Sequence, residues 1–151
     1  MKKAKKILLS LFIFVLLFSL PAQAKSYKAE NVTAKQIVTE LKKSFSIKKV
    51  VVPKKKNTTI GEPNSYKTKI NFYDKKYKKV YCSIEVFEDN YDAAQRCAYM
   101  QALSTLYATF GQKEDVPLVA YRYKNVVIRL NTNMPKSYAK KYYNALKKIV
   151  K

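Results

Sequence analysis

The sequence predicts an α+β domain: a mainly antiparallel sheet of five short strands with helices packed on one face. Three observations carry this reading. Short runs of alternating apolar and polar residues recur with hairpin-length links between them. Longer stretches repeat their apolar residues every three or four positions, the period of a helix. And 48% apolar with 13% aromatic residues in 151 suits one folded domain despite a formal charge of +21. The element order is α-β-β-β-α-β-β-α; strand order does not follow from it.

The N-terminal stretch 1–24 reads as an address. Lys2, Lys3, Lys5 and Lys6 precede an apolar run from 7 to 20, Pro21 breaks it, and Ala22-Gln23-Ala24 supplies small residues for cleavage. The apolar run spans about 21 Å as a helix, short of the roughly 30 Å hydrocarbon core. Cleavage is expected after Ala24, leaving a polar lead-in over 25–32 and a single domain over 33–151. No Cys follows the cleavage motif, so no lipid anchor is expected. The location implied is secreted or cell-wall associated.

Thr33-Ala34-Lys35-Gln36 fits a capping box, and Ile37, Val38, Leu41 and Phe45 share one face of a helix over 33–45. A β-branched strand over 48–52 stops at Pro53. Segment 66–74 sets Thr68, Ile70 and Phe72 against Lys67, Lys69 and Asn71. Segment 80–88 sets Val80, Cys82, Ile84 and Val86 against Tyr81, Ser83, Glu85 and Phe87. These make a hairpin with a basic tip over 75–79. Asp89 or Asn90 caps the next helix, whose inner stripe is Ala93, Cys97, Met100, Leu103 and Tyr107. Two strands over 118–123 and 126–131 turn at Lys124-Asn125. Pro135 opens a last helix with Tyr138, Tyr142, Leu146 and Ile149 on its apolar edge.

Composition excludes much chemistry. With no His there is no imidazole base or metal ligand; two Cys build no thiolate zinc cluster, and two Gly build no phosphate-cradling loop. No metal, no cofactor and no enzyme activity are expected. Of 31 basic residues, removing the leader's four lysines leaves 27 against 10 acids, a charge of +17. Only Arg96, Arg122 and Arg129 are arginine, the residue specific phosphate recognition favours. The excess therefore predicts diffuse, salt-dependent attraction to anionic wall polymers or anionic lipid headgroups, with no specific nucleic-acid site. The leading expectation is a secreted, monomeric, basic module associated with the anionic cell envelope.

The run from Gly61 to Asp74, Gly61-Glu62-Pro63-Asn64-Ser65-Tyr66-Lys67-Thr68-Lys69-Ile70-Asn71-Phe72-Tyr73-Asp74, resembles a G-x-P-N-x-Y-x-x-K-[IV]-N-F-x-D signature. That signature belongs to a family of small exported proteins of Gram-positive bacteria, many of them lipoproteins. Ile84-Glu85-Val86-Phe87-Glu88, leading to Ala93 and Arg96, and the stretch from Tyr121 to Leu130 resemble the same family. The likeness covers roughly 60–131 and implies a location and a domain type, with no activity. This chain departs from it in lacking the lipid-acceptor Cys and in carrying Glu62 where the signature has a basic residue.

Period-two counting places Lys69, Asn71, Glu85 and Arg129 on the strands' non-core face. The plainer expectation is a solvated cross-strand ladder, tolerating Glu85→Gln or Arg129→Gln at under about 1 kcal/mol. The alternative is a small-ligand floor made by these four with Asn64 and Tyr66. A further alternative is a His-independent hydrolase of envelope polymers, using carboxylates among Asp74, Glu85, Glu88, Asp89 and Asp92. Ser104 and Ser137 sit in no nucleophile motif. Cys82 and Cys97 are expected to be free, because strand climb and helix return leave them offset by about 10 Å, beyond the roughly 7 Å limit.

Overall fold

The computed structural model describes residues 26–54, 63–77, 80–109 and 118–151. The leader, Gly61 and Glu62 of the signature, and Lys78 and Lys79 of the hairpin tip lie outside them. The alternating segments form β1 (Ile47–Val51), β2 (Thr68–Asp74), β3 (Cys82–Val86), β4 (Leu118–Tyr123) and β5 (Val126–Asn131). They make one antiparallel sheet in the order β1-β2-β3-β5-β4, with β3 at its centre. The helices are α1 (Ala34–Leu41), α2 (Asn90–Thr109) and α3 (Lys136–Ile149), so the expected order of elements is the observed one.

The caps explain the helix starts. Gln36 N–H donates to Thr33 Oγ1 at 3.3 Å and Thr33 N–H donates to Gln36 Oε1 at 2.8 Å, a reciprocal box. Asp89 Oδ1 accepts from Asp92 N–H at 2.9 Å and opens α2. Pro135 precedes α3, its carbonyl accepting from Ala139. Helix α1 ends at Leu41, short of the expected 45. Past it the chain turns so that Phe45 stacks on Tyr142, with centroids 3.7 Å apart and planes at 15°. The β4–β5 turn puts Lys124 at φ 51°, the left-handed conformation that a two-residue hairpin turn demands. Its neighbour Asn125 is buried and donates to the carbonyls of Phe87 and Ala29, each at 2.9 Å. That second bond helps hold the lead-in, which also bridges to Val150 through Tyr27.

One face of the sheet carries Ile70, Phe72, Cys82, Ile84, Ile128 and Leu130 against α1 and α3. Ile37, Val38 and Leu41 come from α1, and Tyr142, Leu146 and Ile149 from α3; all are buried. At about 25 cal/mol per Å² of apolar area, this is the larger hydrophobic contribution. The expectation that the helices share one face holds for α1 and α3 only. Helix α2 crosses to the other face, where Ala93, Cys97 and Met100 pack on Ala120 and Val127, with Tyr66 and Phe87 beside them. It links central β3 to edge strand β4, with Ala93, Cys97 and Met100 on its inner side.

The cysteines are free and buried in different cores, Cys82 on β3 beneath α1 and α3 and Cys97 on the inner face of α2. The sheet itself separates them. Burial pushes both thiols up, Cys82 to about 12, and only thiolate reacts readily. Native protein should therefore react slowly with a disulfide reagent at neutral pH and release two equivalents once unfolded without reductant. Kinetic thiol titration checks this, and a mass two hydrogens light would contradict it.

Candidate functional site

Strand β3 is flanked by β2 and β5, so its side chains on the α2 face have neighbours on both sides. The register sets Lys69 opposite Glu85, and Asn71 opposite Ser83 opposite Arg129. Helix α2 then lowers Arg96 onto this row. Arg96 Nε donates to Glu85 Oε2 at 2.8 Å and its Nη2 to Oε1 at 3.1 Å, a two-point fork between fully buried side chains. Lys69 Nζ lies 2.7 Å and Arg129 Nη1 3.1 Å from Oε1. Burial alone raises the Glu85 pKa. The Arg96 hydrogen bonds, with the charges of Arg129, Arg96 and Lys69, outweigh it and hold the carboxyl near 2.

Three cations around one carboxylate leave a local excess of positive charge. Beside the cluster, Asn71 Oδ1, Ser83 Oγ and Arg129 Nε are buried without a hydrogen-bond partner among the described residues. A second buried carboxylate is built oppositely. Asp74, at the end of β2, accepts from Tyr142 Oη at 2.7 Å, Tyr138 Oη at 3.0 Å and Lys76 N–H at 2.8 Å, all neutral donors. Burial and then this carboxylate push both phenols up, Tyr138 to about 12.

The six expected site residues thus separate. Lys69 and Arg129 both reach Glu85, Asn71 lies two residues along β2 from Lys69, and Tyr66 sits with its ring 5.3 Å from Lys69 Nζ. Tyr66 is itself buried edge-to-face against Phe87, and Asn64 is half-buried ahead of it. The expected solvated ladder is corrected: Glu85 is fully buried, and the Lys69 and Arg129 side chains are only 11% exposed. The same cover removes the open floor that the small-ligand alternative required of this row.

Arg96 and Ser83 complete the arrangement and were not among the expected residues. Arg96 had a legible signal. It follows Ala93 by three positions and precedes Met100 by four, so the period that buries those two buries Arg96, which then needs an acid.

Among the described residues no His, Cys, Asp and Glu group is placed to hold a metal ion, and no helix is long and apolar enough to cross a membrane. Compared with protein-family models, curated proteins and solved structures, the chain matches none.

Removing Glu85 strands three cations, whereas removing one cation leaves the carboxylate two. Glu85→Gln should therefore cost about 3–5 kcal/mol, more than Arg96→Met, with Lys69→Met costing least. Urea unfolding of the variants at pH 7 gives the ranking. A carboxyl lowered from 4.5 to about 2 stabilises the fold fully above 4.5, and that stability is lost as pH falls towards 2. Unfolding of the parent between pH 5 and pH 2 should show this loss, and Glu85→Gln should lack it.

Proposed function

We propose that this protein is an exported, monomeric, non-enzymatic module that adheres to the anionic cell envelope through its lysine-rich exterior. One observation carries the reading: the fold buries three of the seven acids among the described residues and leaves most lysines outside. Glu40, Asp74 and Glu85 are buried. Among the described residues the remaining acids, Glu30, Glu88, Asp89 and Asp92, lie in the lead-in and around the start of α2. Exposed lysines meanwhile line β1 (Lys48, Lys49), the hairpin end (Lys75, Lys76) and α3 (Lys136, Lys140, Lys141, Lys147, Lys148). A surface so biased attracts polyanions over about one Debye length, some 8 Å at physiological ionic strength.

The three arginines support diffuse attraction over base or phosphate readout. Arg96 and Arg129 are turned inward, and Arg122 donates to the Lys124 carbonyl at 3.2 Å. The low pKa of Glu85 speaks against its acting as a general acid near neutral pH. Guarded sheet edges support the monomer. Gln101 Nε2 and Tyr143 Oη donate to the β4 carbonyls of Ala120 and Arg122 at 3.4 and 3.1 Å, and the opposite edge, β1, bears Lys48 and Lys49 with an irregular register.

Adsorption to purified anionic wall polymer should be strong where the Debye length is about 30 Å and nearly lost where it is about 3 Å. Co-sedimentation across that salt range measures it. Adsorption indifferent to salt, or absent at low salt, overturns the reading.

A further inference from the structure

Strand β1 ends early. Its last partnered residue is Val51, opposite Asn71, so Ile70, Lys69 and Thr68 run on beyond it. The vacated corner is closed on another side by the first turn of α1, where Ala34 N–H donates to Thr68 Oγ1 at 3.0 Å. Between them lies a cavity of about 490 Å³, a size that suits a small-molecule site. Its apolar wall is Ala34, Ile70, Val52 and Pro53, and its rim is Lys35, Lys54, Lys67 and Lys69.

The lysines differ in what they already hold. Lys69 is committed to Glu85 at 2.7 Å and Lys67 to Glu88 at 2.6 Å. Lys35 and Lys54 are exposed and have no carboxylate partner among the described residues. Lys35 also stands in the first turn of α1, where the helix dipole disfavours a cation. It gains nothing there from the helix; an anion in the cavity would satisfy it. The helix N-terminus is already largely occupied, since Ala34 N–H donates to Thr68 Oγ1 and Gln36 N–H to Thr33 Oγ1. Val52 is 66% exposed at the lip, an apolar surface set between cations.

We propose that this cavity binds an amphiphilic anion, its phosphate or carboxylate head between Lys35 and Lys54 and its apolar body against Val52, Pro53 and Ile70. This deepens the envelope-binding reading by adding one defined site to a diffuse surface. Charge alone would take any anion; the apolar wall selects one that carries hydrocarbon beside its charge.

Hexyl phosphate is the probe, titrated calorimetrically into the purified protein beside inorganic phosphate and hexanol. Binding at one site per chain is expected, with each half-ligand weaker by about tenfold or more. Lys35→Gln with Lys54→Gln should weaken the probe by about tenfold, while Lys140→Gln with Lys141→Gln on α3 should leave it within about twofold. All four lysines are exposed, so unchanged thermal unfolding is expected and is measured alongside. Displacement of bound glycerol-phosphate polymer by the probe supports a wall-polymer source for the head. Displacement of phosphatidylglycerol vesicles supports a lipid source. No binding of hexyl phosphate, equal binding of inorganic phosphate, or equal effects of the two double variants overturns the site. Polymer adsorption weakened equally by both variants leaves the diffuse reading standing without it; probe binding without polymer adsorption leaves the cavity standing alone.

Discussion

The buried Glu85–Arg96 pair is the constraint on which the architecture rests. Glu85 occupies the central strand and Arg96 the inner face of α2, and both are fully buried. Such a pair is no large net stabiliser, because taking two ions from water costs several kcal/mol each and their attraction does little more than offset it. What it imposes is position. Sliding α2 along the sheet by one turn would strand both charges, a penalty larger than the packing of Ala93, Cys97 and Met100 could recover. Those side chains are small or flexible and tolerate several placements; the charged fork tolerates one. Lys69 and Arg129 are then drawn to the same carboxylate from β2 and β5, so three strands and a helix meet at one group.

The two faces of the sheet therefore do different work. Beneath α1 and α3 the contacts are apolar, with Phe72, Tyr142 and Phe45 filling the hairpin end around the hydroxyl-bonded Asp74. Beneath α2 the core is mixed, and polar atoms of Asn71, Ser83 and Arg129 lie beside the ion cluster. The same inward turn of carboxylates shapes the outside. Glu40 is also buried, engaging Lys43 at 2.6 Å, two residues past the end of its helix. Acids bound internally do not screen the lysines of β1, the hairpin end and α3. Interior electrostatics and surface field are two results of one arrangement.

Much of this was legible residue by residue. The capping box at Thr33 and Gln36, the Asp89 cap, the β4–β5 hairpin and the helical edge of α3 are local devices, decided within a few residues by hydrogen-bond reach and period. Tyr142 reads as core from its spacing and is fully buried. Other features needed the partner element. The early end of α1 depends on Phe45 meeting Tyr142, far along the chain. Alternation placed Lys69, Asn71, Glu85 and Arg129 on a common side of their strands, but period two carries no information about what lies above that side.

The sequence by itself determined the class of fold, the order of its elements, which side chains share a face, and the large positive charge. These depend on local propensity and composition, which need no knowledge of distant neighbours. Only the tertiary structure decided that α2 crosses to the polar face, that the charged row is interior, and that the cysteines lie in separate cores. It alone also brought the end of β1, the start of β2 and the first turn of α1 around one cavity. The reason is physical: the energy of a charge or a thiol depends on whether water reaches it, and chain segments far apart in sequence decide that.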